Sequence, residues 1–232
     1  MTNNTPKNDG KVRDIDIRLE FMKRNLKFFE QPDMEFVNEF GVNSTNVVDL
    51  AAFDFKNNIF YGFEIKSEQD NTSRLYKQLT AYITFFQIVY VIVHKKHLEE
   101  TMEIINSVKH FDKIGVIVVS GDVKHLEFKE IKQARRYTQV YNMFVQNLDL
   151  EELRVLAVKY NLPIEGSKKV LLGKLRRYVK MDDIFEGIHN KLNKYYFRKC
   201  PACLSKLYYK KNAGRGGVQY ICYKCGVQIE GF

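Results

Sequence analysis

The chain has 232 residues, of which 45% are hydrophobic and 13% aromatic, a globular composition that excludes a disordered chain. Its net charge of +9 is uneven: residues 1–120 hold 15 Lys/Arg against 17 Asp/Glu, and residues 121–232 hold 22 against 11. The longest apolar run, Phe85 to Val93, is broken by Gln87 and followed by His94-Lys95-Lys96, and Met1–Gly10 is polar, so neither a membrane span nor a signal peptide is expected and the protein is placed in the cytoplasm of its cell.

Residues 13–29 put Ile17, Phe21, Leu26 and Phe29 on one helical face. Residues 35–42 and 47–55 read as strands. Lys56-Asn57-Asn58 is a turn, and 59–66 returns as the second arm of a hairpin. A helix follows over 73–86 with Ser73 as its cap, then an apolar strand over 88–94, a helix over 96–109, a buried strand over 113–120 and an edge strand over 123–128. Helix, three strands, helix, strand, helix, strand make an α/β fold with a mixed sheet flanked by helices. Beyond residue 130 the pattern changes to helices and turns, and from Lys199 to short strands around cysteine pairs. The divisions are 11–130, a helical region at 131–195 with a compact module at about 148–180, and 196–232.

The hairpin VVDLAAFDFKNNIFYGFEIKS, residues 47–67, carries the chemistry. Glu64 and Lys66 are two apart in a strand and so share a face, and the hairpin brings Asp49 against Glu64. Two carboxylates at the edge of an apolar sheet are costly unless they hold a cation, and oxygen ligands suit Mg²⁺ or Mn²⁺. Such a metal activates a water and stabilises charge on a phosphate under attack, while the lysine orients the hydroxide or neutralises that charge. The tripeptide alone is better explained by a solvated cross-strand pair. The following helix, with Arg74, Gln78 and Tyr82 at i, i+4 and i+8, favours the site. His94 and His97 have no third ligand spaced near them and read as surface histidines, and the Phe/Tyr-rich stretch from Tyr82 to Tyr90 reads as core.

RDIDIR, VNEFGV, VVDLAAFD, GFEIKS, RLYKQLTAY and VYVIVHKKHLEE occur in that order within residues 13–120. Together they resemble small bacterial and phage proteins of the PD-(D/E)XK nuclease superfamily. The resemblance implies a restriction-endonuclease-like fold and metal-dependent hydrolysis of DNA. Asp49 and Glu64 would hold Mg²⁺ or Mn²⁺, Lys66 would serve the attacking water, and Gln78 would support the site. A further acid would come from Glu39, with Asp16 as the alternative; Asn38 stands where the branch usually has an acid, and Phe40 where Leu is usual.

In the back half, residues 148–178 resemble a SAP-type helix-extended-helix module. Leu153, Leu156, Leu172 and Leu175 are expected to pack together, Gly166 to allow the turn, and Ser167 to cap the second helix. Lys168 and Lys169, extended by Arg176 and Arg177, would contact DNA phosphates without choosing sequence, although such a module can instead pack on its own protein. Cys200-x2-Cys203 and Cys222-x2-Cys225, 18 residues apart, have the spacing of a closed Cys₄ zinc ribbon, a structural site facing DNA or a protein partner.

Overall fold

In the computed structural model, residues 11–24, 34–42, 45–137, 148–195, 198–199, 206–211, 218–222 and 228–230 are described. Helix α1 (Asp14–Arg24) precedes strands β1 (Met34–Gly41), β2 (Val47–Asp54) and β3 (Ile59–Lys66). Helix α2 (Leu75–Phe85), strand β4 (Ile88–His94), helix α3 (Leu98–Ser107) and strands β5 (Gly115–Asp122) and β6 (His125–Lys132) complete the front half. Helices α4 (Leu150–Lys159), α5 (Lys168–Leu175) and α6 (Met181–Tyr195) follow, then the short strands β7 (Arg198–Lys199), β8 (Lys206–Lys211), β9 (Val218–Cys222) and β10 (Gln228–Glu230).

The six front strands form one sheet in chain order, with β1, β2 and β3 antiparallel, β3, β4 and β5 parallel, and β6 antiparallel at the far edge. Parallel neighbours need a crossover, and α2 and α3 supply the two required here. β3 and β4 alternate poorly because both faces are covered: α1 packs with Phe36, Leu50, Phe63 and Ile65, and α2 packs with Val37, Phe53, Phe60 and Val91. The turn expected at 56–58 is present, with Asn58 at φ 53° and the Asp54 carboxylate accepting from the Asn57 backbone at 2.9 Å. Gly62 is needed for close approach, since a Cβ there would stand 2.4 Å from the Phe86 ring. Gln87 is buried and serves β3, accepting from Phe60 N at 2.7 Å and donating to Asn58 O at 3.0 Å.

The expected mixed sheet flanked by helices is present, with differences in detail. Ser73 does not cap α2; its N-cap is Arg74, without a side-chain cap bond. His94 and His97 are not surface residues but 5% and 9% exposed, because the turn at 95–97 folds them under the start of α3. The edge strand begins two residues later than expected and runs to Lys132.

Helices α4 and α5 are joined by an extended stretch with Gly166 at φ 116°. Asp149 and Glu152 form a capping box on α4. Ser167 occupies the N-cap of α5 but makes no cap hydrogen bond. Leu153, Leu156 and Leu175 are buried, and Leu172 packs against them half-buried. These side chains belong to the same apolar core as the α2 face of the sheet. α6 makes the join: Phe185 meets Phe60 edge-on at 4.4 Å, and His189 lies 4.3 Å from Phe55. The tail strands make a separate antiparallel sheet in the order β10-β9-β8-β7. No described helix is long and apolar enough to cross a membrane.

Candidate active site

The pairing of β2 with β3 runs from Asp54 to Leu50, which lies opposite Phe63, and one further step sets Asp49 against Glu64. Antiparallel geometry thus puts the start of β2 and the end of β3 at one end of the sheet. Asp49 Oδ2 accepts from the Ile65 backbone at 2.7 Å. Glu64 is 1% exposed, and Lys66, on the same face, donates to Glu64 Oε1 at 2.7 Å. Lys66 also donates to Gln78 Oε1 at 3.1 Å, and the Tyr82 hydroxyl lies 2.8 Å from Glu64 Oε2. Asp49, Glu64, Lys66 and Gln78 are therefore brought together.

Glu39 lies beside them on the neighbouring strand β1. It sits opposite Asp49 in the register that pairs Asn38 with Leu50 and Phe40 with Val48. Its φ of 54° is left-handed, a costly conformation for a residue with a side chain. The twist breaks the alternation of β1, so that Val37 and Phe40 enter the same core cluster. Asp16 does not reach this group; it accepts from the Arg13 backbone at 3.0 Å and pairs with the Arg13 side chain.

Arg18 is the residue that sequence reasoning missed. It is 2% exposed, donates to Asp14 Oδ2 at 2.6 Å, and stands 3.9 Å from both Glu39 Oε1 and Asp49 Oδ1. Its signal was present: an arginine one turn after Asp14, between Ile17 and Phe21 on the buried face of α1. Buried charge of this kind is costly unless it neutralises other charge. Here the guanidinium offsets two carboxylates from a short distance while Asp14 anchors it.

Burial pushes the Asp49 carboxyl well above the usual carboxylate range, and the neighbouring Glu64 charge adds to it; Arg18, the Ile65 N–H and Lys66 oppose the rise. A carboxyl whose folded pKa is raised gives stability that is present at acid pH and lost as pH rises through the folded value. In EDTA at neutral pH, Asp49→Asn should therefore melt higher than the wild type, and the gain should vanish on acidification. An Asn variant that melts lower across the whole range would contradict this charge balance. Asparagine keeps an acceptor for Ile65 N, so the comparison isolates the charge.

Among the described residues no three His, Cys, Asp or Glu side chains converge as a metal-binding group. Asp49 and Glu64 supply two carboxylates, which suits Mg²⁺, a cation that keeps several waters and takes further ligands from substrate phosphates. Lys168, Lys169, Arg176 and Arg177 are exposed on and beside α5. Of the cysteines, Cys222 is buried at the end of β9, and Cys200, Cys203 and Cys225 lie outside the described residues.

A family model described as Bacteriophage P4 protein cII matches residues 17–213. The chain belongs to this family. Membership ties the protein to phages, and the match runs from within α1 through the sheet and the helices to just past β8. No curated protein matches the chain. A solved structure titled "SPO1766 protein of unknown function from Silicibacter pomeroyi" is similar at a TM-score of 0.38 and 11% identity, over 79% of this chain and 90% of that one.

Proposed function

We propose that this phage-family protein is a metal-dependent DNA endonuclease of the PD-(D/E)XK type. The observation that carries the reading is the grouping of Asp49, Glu64, Lys66 and Gln78 at one end of the β2–β3 pair, with the lysine ammonium 2.7 Å from the glutamate. The order of helices and strands, with a mixed sheet flanked by helices, supports it. In this reading Asp49 and Glu64 would hold Mg²⁺ or Mn²⁺, with Glu39, which shares Arg18 with Asp49, as the candidate for a further acid. The cation supplies Lewis acidity at the scissile phosphate. Lys66 stands beside the attacking water, and Gln78 keeps the ammonium directed there. Incubation with linear, plasmid and branched DNA, in Mg²⁺ or Mn²⁺ and in EDTA, tests the proposal: scission in metal alone supports it, and intact DNA in every condition contradicts it.

A second reading, a DNA-binding protein that keeps the fold without cutting, is favoured by one observation: both Glu64 oxygens already accept from a protein group. The same assay decides between them.

The basic back half supplies the grip in either reading. Lys168, Lys169, Arg176 and Arg177 present exposed charge for phosphate contacts on and beside α5. Replacing all four by Ala should weaken DNA binding for every sequence alike. It should also flatten the dependence on salt, by roughly one in log–log slope for each phosphate no longer neutralised. A salt titration of DNA affinity measures both, and an unchanged slope would remove these residues from the interface. The four cysteines, Cys200, Cys203, Cys222 and Cys225, would hold one structural zinc, closing a ribbon whose outer surface is available to DNA or to a protein partner.

A further inference from the structure

Tyr82 lies on α2, one turn beyond Gln78, and is fully buried. Its neighbours Phe85 and Phe86 show that a phenylalanine would be at home in this layer, so the ring oxygen needs its own explanation. A buried hydroxyl is costly unless it is bonded. This one sits between two acceptors, Glu64 Oε2 at 2.8 Å and the Val47 carbonyl at 2.7 Å. Glu64 stands at the end of β3, and Val47 begins β2 two residues before Asp49. The other Glu64 oxygen is held by Lys66. A glutamate's terminal torsion is broad and soft, so a carboxylate tied at one oxygen alone would turn.

We propose that Tyr82 is a positioning residue of a divalent-cation site: its single hydroxyl proton, within reach of both the Val47 carbonyl and Glu64 Oε2, is donated to Glu64 and fixes that carboxylate. The inference rests on the nuclease reading and deepens it. A phenol's ordinary pKa of about 10 leaves the hydroxyl protonated at neutral pH. It therefore acts as a neutral donor that orients the metal ligand without competing with the metal. Outer residues that orient a metal's ligands are typically worth about 10–100-fold in metal affinity or activity.

The test is Tyr82→Phe in the full chain, with Tyr90→Phe as the matched control. Tyr90 loses an equivalent bond, its hydroxyl donating to Glu130 at 2.6 Å, but it packs with Phe63 on the α1 side of the sheet. Mn²⁺ binding without DNA, measured by calorimetry, and the Mg²⁺ concentration for half-maximal cleavage are the readouts, with melting temperature recorded for each variant. Tyr82→Phe should weaken Mn²⁺ binding about tenfold or more and raise the Mg²⁺ requirement to match, with a smaller loss of rate at saturating metal. Tyr90→Phe should bind Mn²⁺ as the wild type does. A folded Tyr82→Phe with wild-type Mn²⁺ affinity would overturn the role given to Tyr82 and leave the nuclease reading standing. A wild-type chain that binds no Mn²⁺ and cuts no DNA would overturn both.

Discussion

Glu64→Gln and Lys66→Met should each lower DNA cleavage by roughly a hundredfold or more while leaving DNA binding near the wild-type level. In the proposed mechanism the first would remove a charge needed to hold the metal, and the second would remove the ammonium that serves the attacking water. Both changes also break an ion pair in which the partners are 1% and 6% exposed. Removing one partner strands a buried charge, which costs about 3–5 kcal/mol, whereas removing both is often nearly neutral. The double variant Glu64→Gln/Lys66→Met should therefore regain much of the stability that either single change loses. It should regain none of the activity. Stability and cleavage would then move apart, and a double-mutant cycle read by melting and by cleavage rate shows it. Wild-type cleavage in any of the three variants would remove these residues from the chemistry.

Phe185→Ala should be among the most destabilising single changes in the back half. The ring is 3% exposed and stands edge-on to Phe60 in β3, between buried Ile184 and Ile188. Deleting a buried phenylalanine costs about 3–5 kcal/mol through lost transfer energy and the cavity left behind. For a chain of this size that lowers the melting temperature by roughly 6–20 °C. Phe60 is three residues upstream of the Phe63–Leu50 pair that frames the site, so loosening here reaches β3 directly. Thermal unfolding followed by circular dichroism measures the effect. A shift of less than about 2 °C would mean that α6 adds little to the core.

Much of the sheet was legible because short-range signals agree with the fold. The hairpin at 47–66 has alternation, an Asn-rich turn and apolar flanks, and β4 is bounded as expected, at 88–94. Glu64 and Lys66 share a face by the two-residue period of a strand alone. What failed to show depends on distant partners. Arg18 sits on the buried face of α1, but the carboxylates on β1 and β2 that it faces come from elsewhere in the chain, and no pattern inside α1 announces them. The left-handed backbone at Glu39 has no glycine to mark it. His94 and His97 looked solvated beside Lys95 and Lys96, yet the turn there folds both imidazoles inward and leaves the lysines exposed. Helix α6 was only part of an undivided helical region, since its apolar positions Ile184, Phe185 and Ile188 gain meaning from the turn end of the β2–β3 hairpin that the helix packs against.

The same contrast bears on how the two halves act. Their charge balance suggests a division of labour, with chemistry in front and grip behind. The shared core makes the helices part of the body that holds the site, with Asn58 in the hairpin turn bonded to Asp182 of α6 at 3.0 Å. DNA held on α5 would thus be held by a surface fixed to the same core as β3.

The central claim, that Asp49 and its neighbours form a metal-dependent cutting site, is tested most directly by one side-by-side measurement. Wild type and Asp49→Asn, purified identically, are incubated with end-labelled DNA in Mn²⁺, and the strand breaks are counted over time. Metal-dependent breaks in the wild type, with a rate at least about a hundredfold lower in a folded, DNA-binding Asp49→Asn, are the expected result. Equal rates in the two proteins, or no breaks in either, would contradict it.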